Sequence, residues 1–397
     1  MYVLYSLFIF IIYVNNIIME NNKLKQKIVL GLIISLIFGI LGCESTLDDI
    51  DKTDKNKSIE DFVSEMTLDE KIGQMIVVGF NGTDVSEELT NLVNINKVGG
   101  VILFKRNIET SQQLKELNNN IEGLNKEIPL FISVDEEGGR VNRLPSDMES
   151  FPSAREVGLK NNKDYAYNNG KSMGESLKVT GFNMNYAPVL DIFSNPQNTV
   201  IGDRAFGSDI ETVSTMGIST MKGIEDEGII SVVKHFPGHG DTFVDSHYGL
   251  PIVYKSLKEL DNFEFIPFKK AIEEGCKAIM VSHILLDKID NKNPSSMSKT
   301  VITGILREKL GFDGVIITDD MEMKAITENY TIEDASVKSI IAGCDILLIG
   351  SGTEYVNKVI DAIKEAILNG HISEERIDES VTRIIKLKSE YLKFNLR

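Results

Sequence analysis

Eight short apolar runs punctuate the chain after residue 57: M-I-V-V-G-F (75–80), G-V-I-L-F (100–104), L-F-I-S-V-D (130–135), F-N-M-N-Y-A-P-V-L (182–190), I-S-V-V-K-H (230–235), A-I-M-V-S-H (278–283), G-V-I-I-T-D (314–319) and D-I-L-L-I-G (345–350). Most are rich in β-branched residues and all are too short for buried helices, so each reads as a strand. Helical periodicity fills most of the gaps. Over 111–128 it places Leu114, Leu117, Ile121 and Leu124 on one face, and it recurs over 256–275 and 331–343. Thr67 with Glu70, and Thr331 with Asp334, have the spacing of an N-terminal capping box or come close to it. Apolar strands alternating with helices make a parallel sheet covered by helices. Eight repeats predict an α/β fold closed into a (β/α)8 TIM-type barrel, one domain over 58–397, with helices over 354–368 and 375–392 completing the outer ring. An open doubly wound sheet is the alternative.

A barrel of this kind places its chemistry at the carboxyl ends of the strands. Four runs end in polar groups: Asp135 closes the third, Lys234-His235 the fifth, His283 the sixth and Asp319 the seventh. Polar side chains ending apolar strands are costly to bury unless they face a solvated mouth or a partner, so four on one rim predict a site there. Composition narrows the partners. The 397 residues carry a net charge of −17, which argues against a nucleic-acid partner, because phosphate contacts need clustered Lys and Arg. The three cysteines, Cys43, Cys276 and Cys344, are too scattered for a zinc or disulfide framework. Cys276 and Cys344 read as small buried thiols.

Three stretches carry the candidate chemistry. In I-T-D-D-M-E-M, strand alternation lets only one of Asp319 and Asp320 project into the mouth. One would act as nucleophile or general base, and the other could N-cap a helix over 321–326. In V-D-E-E-G-G-R-V-N-R (134–143), three adjacent acids raise one another's pKa, with Arg140 and Arg143 as natural complements. The group reads either as a carboxylate gripping ligand hydroxyls or as a surface ion-pair cluster. The stretch K-H-F-P-G-H-G-D-T-F-V-D-S-H (234–247) is rich in histidine. It lacks the convergent spacing of a zinc site and the pattern of a phosphate loop. There Asp245-Ser246-His247 could pair an imidazole with an orienting carboxylate, giving a proton donor near neutral pH. His239, in the G-H-G turn, reads as structural.

The amino terminus reads as an address. Residues 28–41, apolar apart from Gly and Ser, follow the basic segment Lys23–Lys27 and end at Cys43, after which the chain turns polar. The run is short for a membrane span and suits a signal-peptide core. Residues 1–42 therefore read as a signal peptide ending in a lipobox, with 1–18 as an upstream start-site extension ahead of Met19. Cys43 reads as the lipidated residue and 44–57 as a flexible tether. The expected location is outside the cytoplasmic membrane, held by a lipid anchor.

Taken together, K-H-F-P-G-H-G-D-T-x-x-D-S-H, G-D-R-A-F-G (202–207), V-D-E-E-G-G-R-V and I-T-D-D-M-E-M resemble glycoside hydrolase family 3, in its β-N-acetylhexosaminidase branch. The likeness runs in order from about residue 58 to 385. It implies a (β/α)8 barrel acting on carbohydrate as a retaining glycosidase that removes terminal N-acetyl-D-glucosamine, with no cofactor and no metal. It implies Asp319 as the nucleophile, Asp245 and His247 as the acid/base dyad, and Asp135, Arg143, Arg204, Lys234 and His235 as glycan contacts. Two-domain relatives take their acid from a following domain. This chain ends soon after the eighth run, so the D-S-H loop is expected to supply it. A surface location points to peptidoglycan fragments as substrate. A β-N-acetylglucosaminide phosphorylase remains open, because imidazole does not repel phosphate as a carboxylate would. So does a β-glucosidase. A non-enzymatic glycan-binding lipoprotein would be expected to lack Asp319 or D-S-H, and this chain has both.

Overall fold

Thr67 accepts from the Glu70 backbone and Glu70 reaches back to the Thr67 N–H, closing the capping box that opens the helix Leu68–Gln74. The first strand follows at once, and the same economy of connection runs through the chain. The computed structural model describes residues 59–125, 127–242, 249–351, 353–392, 394 and 396. The segments 1–42 and 43–57, Cys43 included, and the acid/base candidates Asp245 and His247 lie outside the described residues. Phe62–Arg397 is one compact unit. Among the described residues, no helix is long and apolar enough to cross a membrane.

The strands in chain order are β1 Ile76–Gly79, β2 Gly100–Leu103, β3 Phe131–Val134, β4 Met184–Asn185, β5 Ile230–Phe236, β6 Ile252–Val253, β7 Ala278–Val281, β8 Leu285–Leu286, β9 Val315–Asp320 and β10 Ile346–Ile349. Eight of them close a parallel barrel in the order β1-β10-β9-β7-β5-β4-β3-β2, while β6 and β8 pair separately. Each apolar run supplies one barrel strand, so the closed barrel prevails over the open sheet. β1, β2, β3, β5, β7 and β10 are buried along their whole length. Full burial on both faces explains why the runs are continuous rather than alternating.

The helices differ from expectation where local chemistry intervenes. The pattern over 331–343 becomes Ile332–Ala342, with Thr331 as N-cap and Gly343 ending it at φ 117°, a left-handed conformation that favours glycine. The pattern over 111–128 stops at Glu122, with Gly123 at the C-cap and Leu124 beyond the helix. The single helix expected over 256–275 is two, Leu257–Asp261 and Phe265–Glu273. The break precedes Pro267, which has no N–H to offer the Phe263 carbonyl and is tolerated only in a first helical turn. Phe265 and Phe268 on the second helix each lie 5.4 Å from the Phe236 ring at the end of β5. Thr353–Leu368 and Glu374–Tyr391 occupy the last two helical positions. Run 182–190 yields only the short β4 and a bridge from Val189 to Lys234. Cys276 and Cys344 are buried thiols.

Two buried ionisable groups lie outside the strand mouths. Lys388 of the last helix donates to Gln74 Oε1 (2.7 Å) and Gly99 O (2.8 Å), with its ammonium 4.7 Å from the Phe131 ring centroid. It ties that helix to the amino-terminal ends of β2 and β3. Glu225 is pushed up to about 7 by burial, from an ordinary 4.5, and its Oε1 has no hydrogen-bond partner. Between those two values the folded protein binds the extra proton. The penalty is therefore absent below about pH 4.5 and complete above about pH 7. Glu225→Gln should stabilise the protein at pH 8 by up to about 3 kcal/mol and by almost nothing at pH 4. Urea unfolding at the two values checks it, and an equal gain at both would contradict it.

Candidate active site

The polar residues at the carboxyl ends of β3, β5 and β9 converge on one cavity of about 210 Å3. Its walls include Asp135, Glu137, Arg143, Arg204, Lys234, His235, His239, Asp319 and Asp320. All the predicted ligand contacts, Asp135, Arg143, Arg204, Lys234 and His235, are thus brought together with Asp319. His283 is placed differently. It is buried, with Nδ1 2.7 Å from Ser296 Oγ and Nε2 3.0 Å from the Asp320 carbonyl oxygen, and it supports the β9 terminus from behind.

The three acids after β3 do not crowd one another, which corrects the expectation of mutual repulsion. Asp135 Oδ1 accepts from Lys234 Nζ at 2.5 Å. Glu136 turns inward, where its Oε2 accepts the Arg143 and Leu144 N–H groups. Burial raises its pKa against those hydrogen bonds. Glu137 is shared by two cations, with Lys234 Nζ 2.6 Å from Oε1 and Arg204 bidentate at 2.8 Å on each arm. Burial opposes its charge, but Arg204 and Lys234 outweigh burial and hold it well below the carboxylate range. Arg204 and Lys234 are in turn held above their ordinary values, against burial, by the carboxylates around them. Asn185 fixes this turn, exchanging bonds with the Glu136 backbone N–H (2.9 Å) and carbonyl (2.8 Å). Gly138, at φ 83°, completes it where a Cβ would meet Pro152 O at 2.3 Å. Arg140, expected as a complement to these acids, instead pairs with Asp203 at 2.9 Å and donates to the carbonyls of residues 199–201.

The paired aspartates of β9 divide their work. Among the described residues, Asp319 Oδ1 accepts a local bond from the Asp320 N–H at 2.9 Å. Burial alone would raise its pKa, but electrostatic attraction to the neighbouring His235, His283 and Lys234 side chains and the Asp320 N–H hold it below the ordinary value. It is therefore a carboxylate at neutral pH, on the cavity wall. Asp320 is pushed up to about 7 by burial, with Glu322 and Asp319 adding repulsion. Its Oδ1 accepts from Glu322 N–H (3.0 Å) and Gly350 N–H (2.9 Å). At Gly350 a Cβ would come within 2.1 Å of Asp320 Oδ2, so the side chain needs glycine beside it. The expected helix N-cap does not form. The helix is Lys324–Thr327, its N-cap position is Met323, and Asp320 closes a turn instead.

Sequence reasoning missed Asp191. It is fully buried and bonds His235 Nδ1 at 2.7 Å and the His239 N–H at 2.7 Å. The signal was present, since Asp191 directly follows the apolar run 182–190, as Asp135 and Asp319 end theirs. His239, expected to be structural, is buried and also lines the cavity. Its ring nitrogen Nδ1 lies 2.8 Å from Thr242 Oγ1, and burial pushes its pKa down to about 4. Asn198 Nδ2 holds the His239 carbonyl at 2.7 Å, and Lys255 bridges Asp241 (3.1 Å) and Glu264. The stem leading to residue 243 is thus fixed on three sides. Among the described residues, no group of three His, Cys, Asp or Glu could hold a metal ion.

The model of the glycosyl hydrolase family 3 N terminal domain matches residues 67–387. The chain belongs to glycosyl hydrolase family 3. Among its family 3 relatives, beta-hexosaminidase A of Pseudoalteromonas piscicida is 33% identical over 338 residues, covering 78% of this chain and 56% of that protein. Beta-hexosaminidase LpqI of Mycobacterium tuberculosis is 32% identical, over 80% of this chain and 82% of its own length. A family 3 beta-N-acetylglucosaminidase from Paenibacillus superposes with a TM-score of 0.81 at 39% identity, over 82% of this chain and 63% of that one. The chain thus spans little more than half of the length of the first of these relatives.

Proposed function

We propose that this family 3 protein is a retaining exo-β-N-acetylhexosaminidase that removes terminal non-reducing N-acetyl-D-glucosamine from β-linked glycans. The observation that carries the reading is Asp319, an ionised carboxylate with no cationic hydrogen-bond partner among the described residues, at the end of β9 and on the wall of a cavity ringed by hydrogen-bonding charges. A cavity of about 210 Å3 lies below the ~300–1,000 Å3 of sites for drug-sized ligands, a scale suited to a single sugar ring. The names of the relatives support an N-acetylated sugar over glucose.

In this reading an Asp319 oxygen attacks the anomeric carbon as the glycosidic C–O bond breaks, giving a glycosyl-enzyme. His247, oriented by Asp245, donates its proton to the departing oxygen. In the second step the neutral imidazole takes a proton from water, whose oxygen displaces Asp319 and restores both groups. Asp135, Lys234, Arg204, Arg143 and His235 hold the ring hydroxyls, so that binding energy orients the anomeric carbon. The substrates would be peptidoglycan fragments or related glycans, met at the cell surface by a protein anchored through Cys43.

A panel of 4-nitrophenyl β-glycosides tests the reading. The N-acetylglucosaminide should be turned over in preference to the glucoside, with the β-anomer as first product by proton NMR. Preference for the glucoside, or an α-anomer first, would overturn it. Recovery of the protein in the detergent-soluble membrane fraction tests the anchor.

A further inference from the structure

Asp191 holds His235 by a division of labour between its two oxygens. Oδ1 accepts the backbone N–H groups of His239 (2.7 Å) and His235 (3.3 Å), and Oδ2 faces His235 Nδ1 at 2.7 Å. On the other side of the ring, Arg204 Nη2 lies 3.2 Å from His235 Nε2. A guanidinium has only donors to offer. A favourable contact there requires a lone pair on Nε2, which leaves the single ring proton on Nδ1, facing the carboxylate. Glu137 holds Arg204 in place with two bonds of 2.8 Å, so the donor at Nε2 is itself fixed.

We propose that Asp191 is a positioning residue that locks His235 in the neutral Nδ1–H tautomer, presenting Nε2 as the hydrogen-bond acceptor for Arg204 on the cavity wall. The consequence, which rests on the glycosidase reading, is that His235 and Glu137 together fix the Arg204 guanidinium, so that its remaining donors face the sugar hydroxyls in one orientation.

Asp191→Asn separates this role from a structural one. The remaining Oδ1 can still accept both backbone N–H groups, while the amide that replaces Oδ2 donates to Nδ1 and drives the ring proton to Nε2, against Arg204. Nitrogen-15 NMR of the histidine rings, with His235→Gln to assign the signals, reads the tautomer without any substrate. In the wild-type protein Nδ1 should give a pyrrole-type and Nε2 a pyridine-type resonance, and in Asp191→Asn the two should exchange. The variant should also lose roughly 100-fold or more in kcat/KM at an unchanged melting temperature. A wild-type His235 with its proton on Nε2, or doubly protonated throughout the active pH range, overturns the proposal even if Asp191→Asn fails to fold. So does a variant that exchanges tautomer and keeps its activity. Failure of the glycosidase reading would look different, as wild-type protein inert toward every glycoside.

Discussion

Asp319→Ala is expected to lower kcat by at least about 10^4-fold, because the first covalent step loses its nucleophile and water must act in its place. The fold should survive, since among the described residues Asp319 makes one local hydrogen bond, and its charge is opposed by burial. A circular-dichroism melt separates lost chemistry from lost structure. Asp319→Gly adds a positive test. It opens space on the face from which the carboxylate attacks, and azide can enter there. Azide should restore turnover of an activated aryl glycoside and leave a glycosyl azide of α configuration, as expected for direct displacement of the β-linked leaving group. If Asp319→Ala keeps a tenth of wild-type activity, or if Asp320→Ala alone abolishes it, the assignment within the pair is wrong. Asp320 is the less suited partner. Its pKa is pushed up to about 7 and its Oδ1 is committed to two backbone N–H groups, so it offers less charge and less freedom.

His247→Ala is expected to divide substrates by their leaving groups. A general acid contributes ~10^2–10^4-fold when the departing oxygen needs its proton. Chitooligosaccharides and 4-methoxyphenyl glycosides should therefore lose activity on that scale. A 2,4-dinitrophenyl glycoside, which departs as a stable anion, should lose no more than about tenfold in kcat/KM. Its second step should slow, because the base is gone, so glycosyl-enzyme should accumulate as a burst. Equal losses on both substrate types would assign the acid to another group. Asp245→Asn should reproduce a weaker form of the same split.

The barrel was legible because its strands are buried on both faces. Burial on both sides forces unbroken apolar runs, and eight such runs spaced by helical segments leave few alternatives. Helix ends were legible where a side chain closes the backbone locally, as at Thr67 and Thr331. They were missed where periodicity was followed past a proline. The break between Leu257–Asp261 and Phe265–Glu273 lies just ahead of Pro267, which cannot continue the first helix's hydrogen-bond ladder. In the site, Asp135, Lys234, His235 and Asp319 announced themselves as polar endings of apolar strands, and Arg143 and Arg204 came from a resemblance of motifs.

The sequence by itself determined the number of strands, the rim on which the chemistry lies and the identity of most groups on it, because each of these follows from local patterning. Tertiary structure alone decided who partners whom. Glu137 is tied to Lys234 and Arg204, not to Arg140. Asp191, from the end of run 182–190, governs His235 on β5, and Lys388 reaches the foot of β2 and β3 from the last helix. These pairings join residues far apart in sequence, and a charge leaves no periodic trace of its partner. Only closure of the barrel brings them within bonding distance, in an interior where an unpaired charge would be too costly to keep.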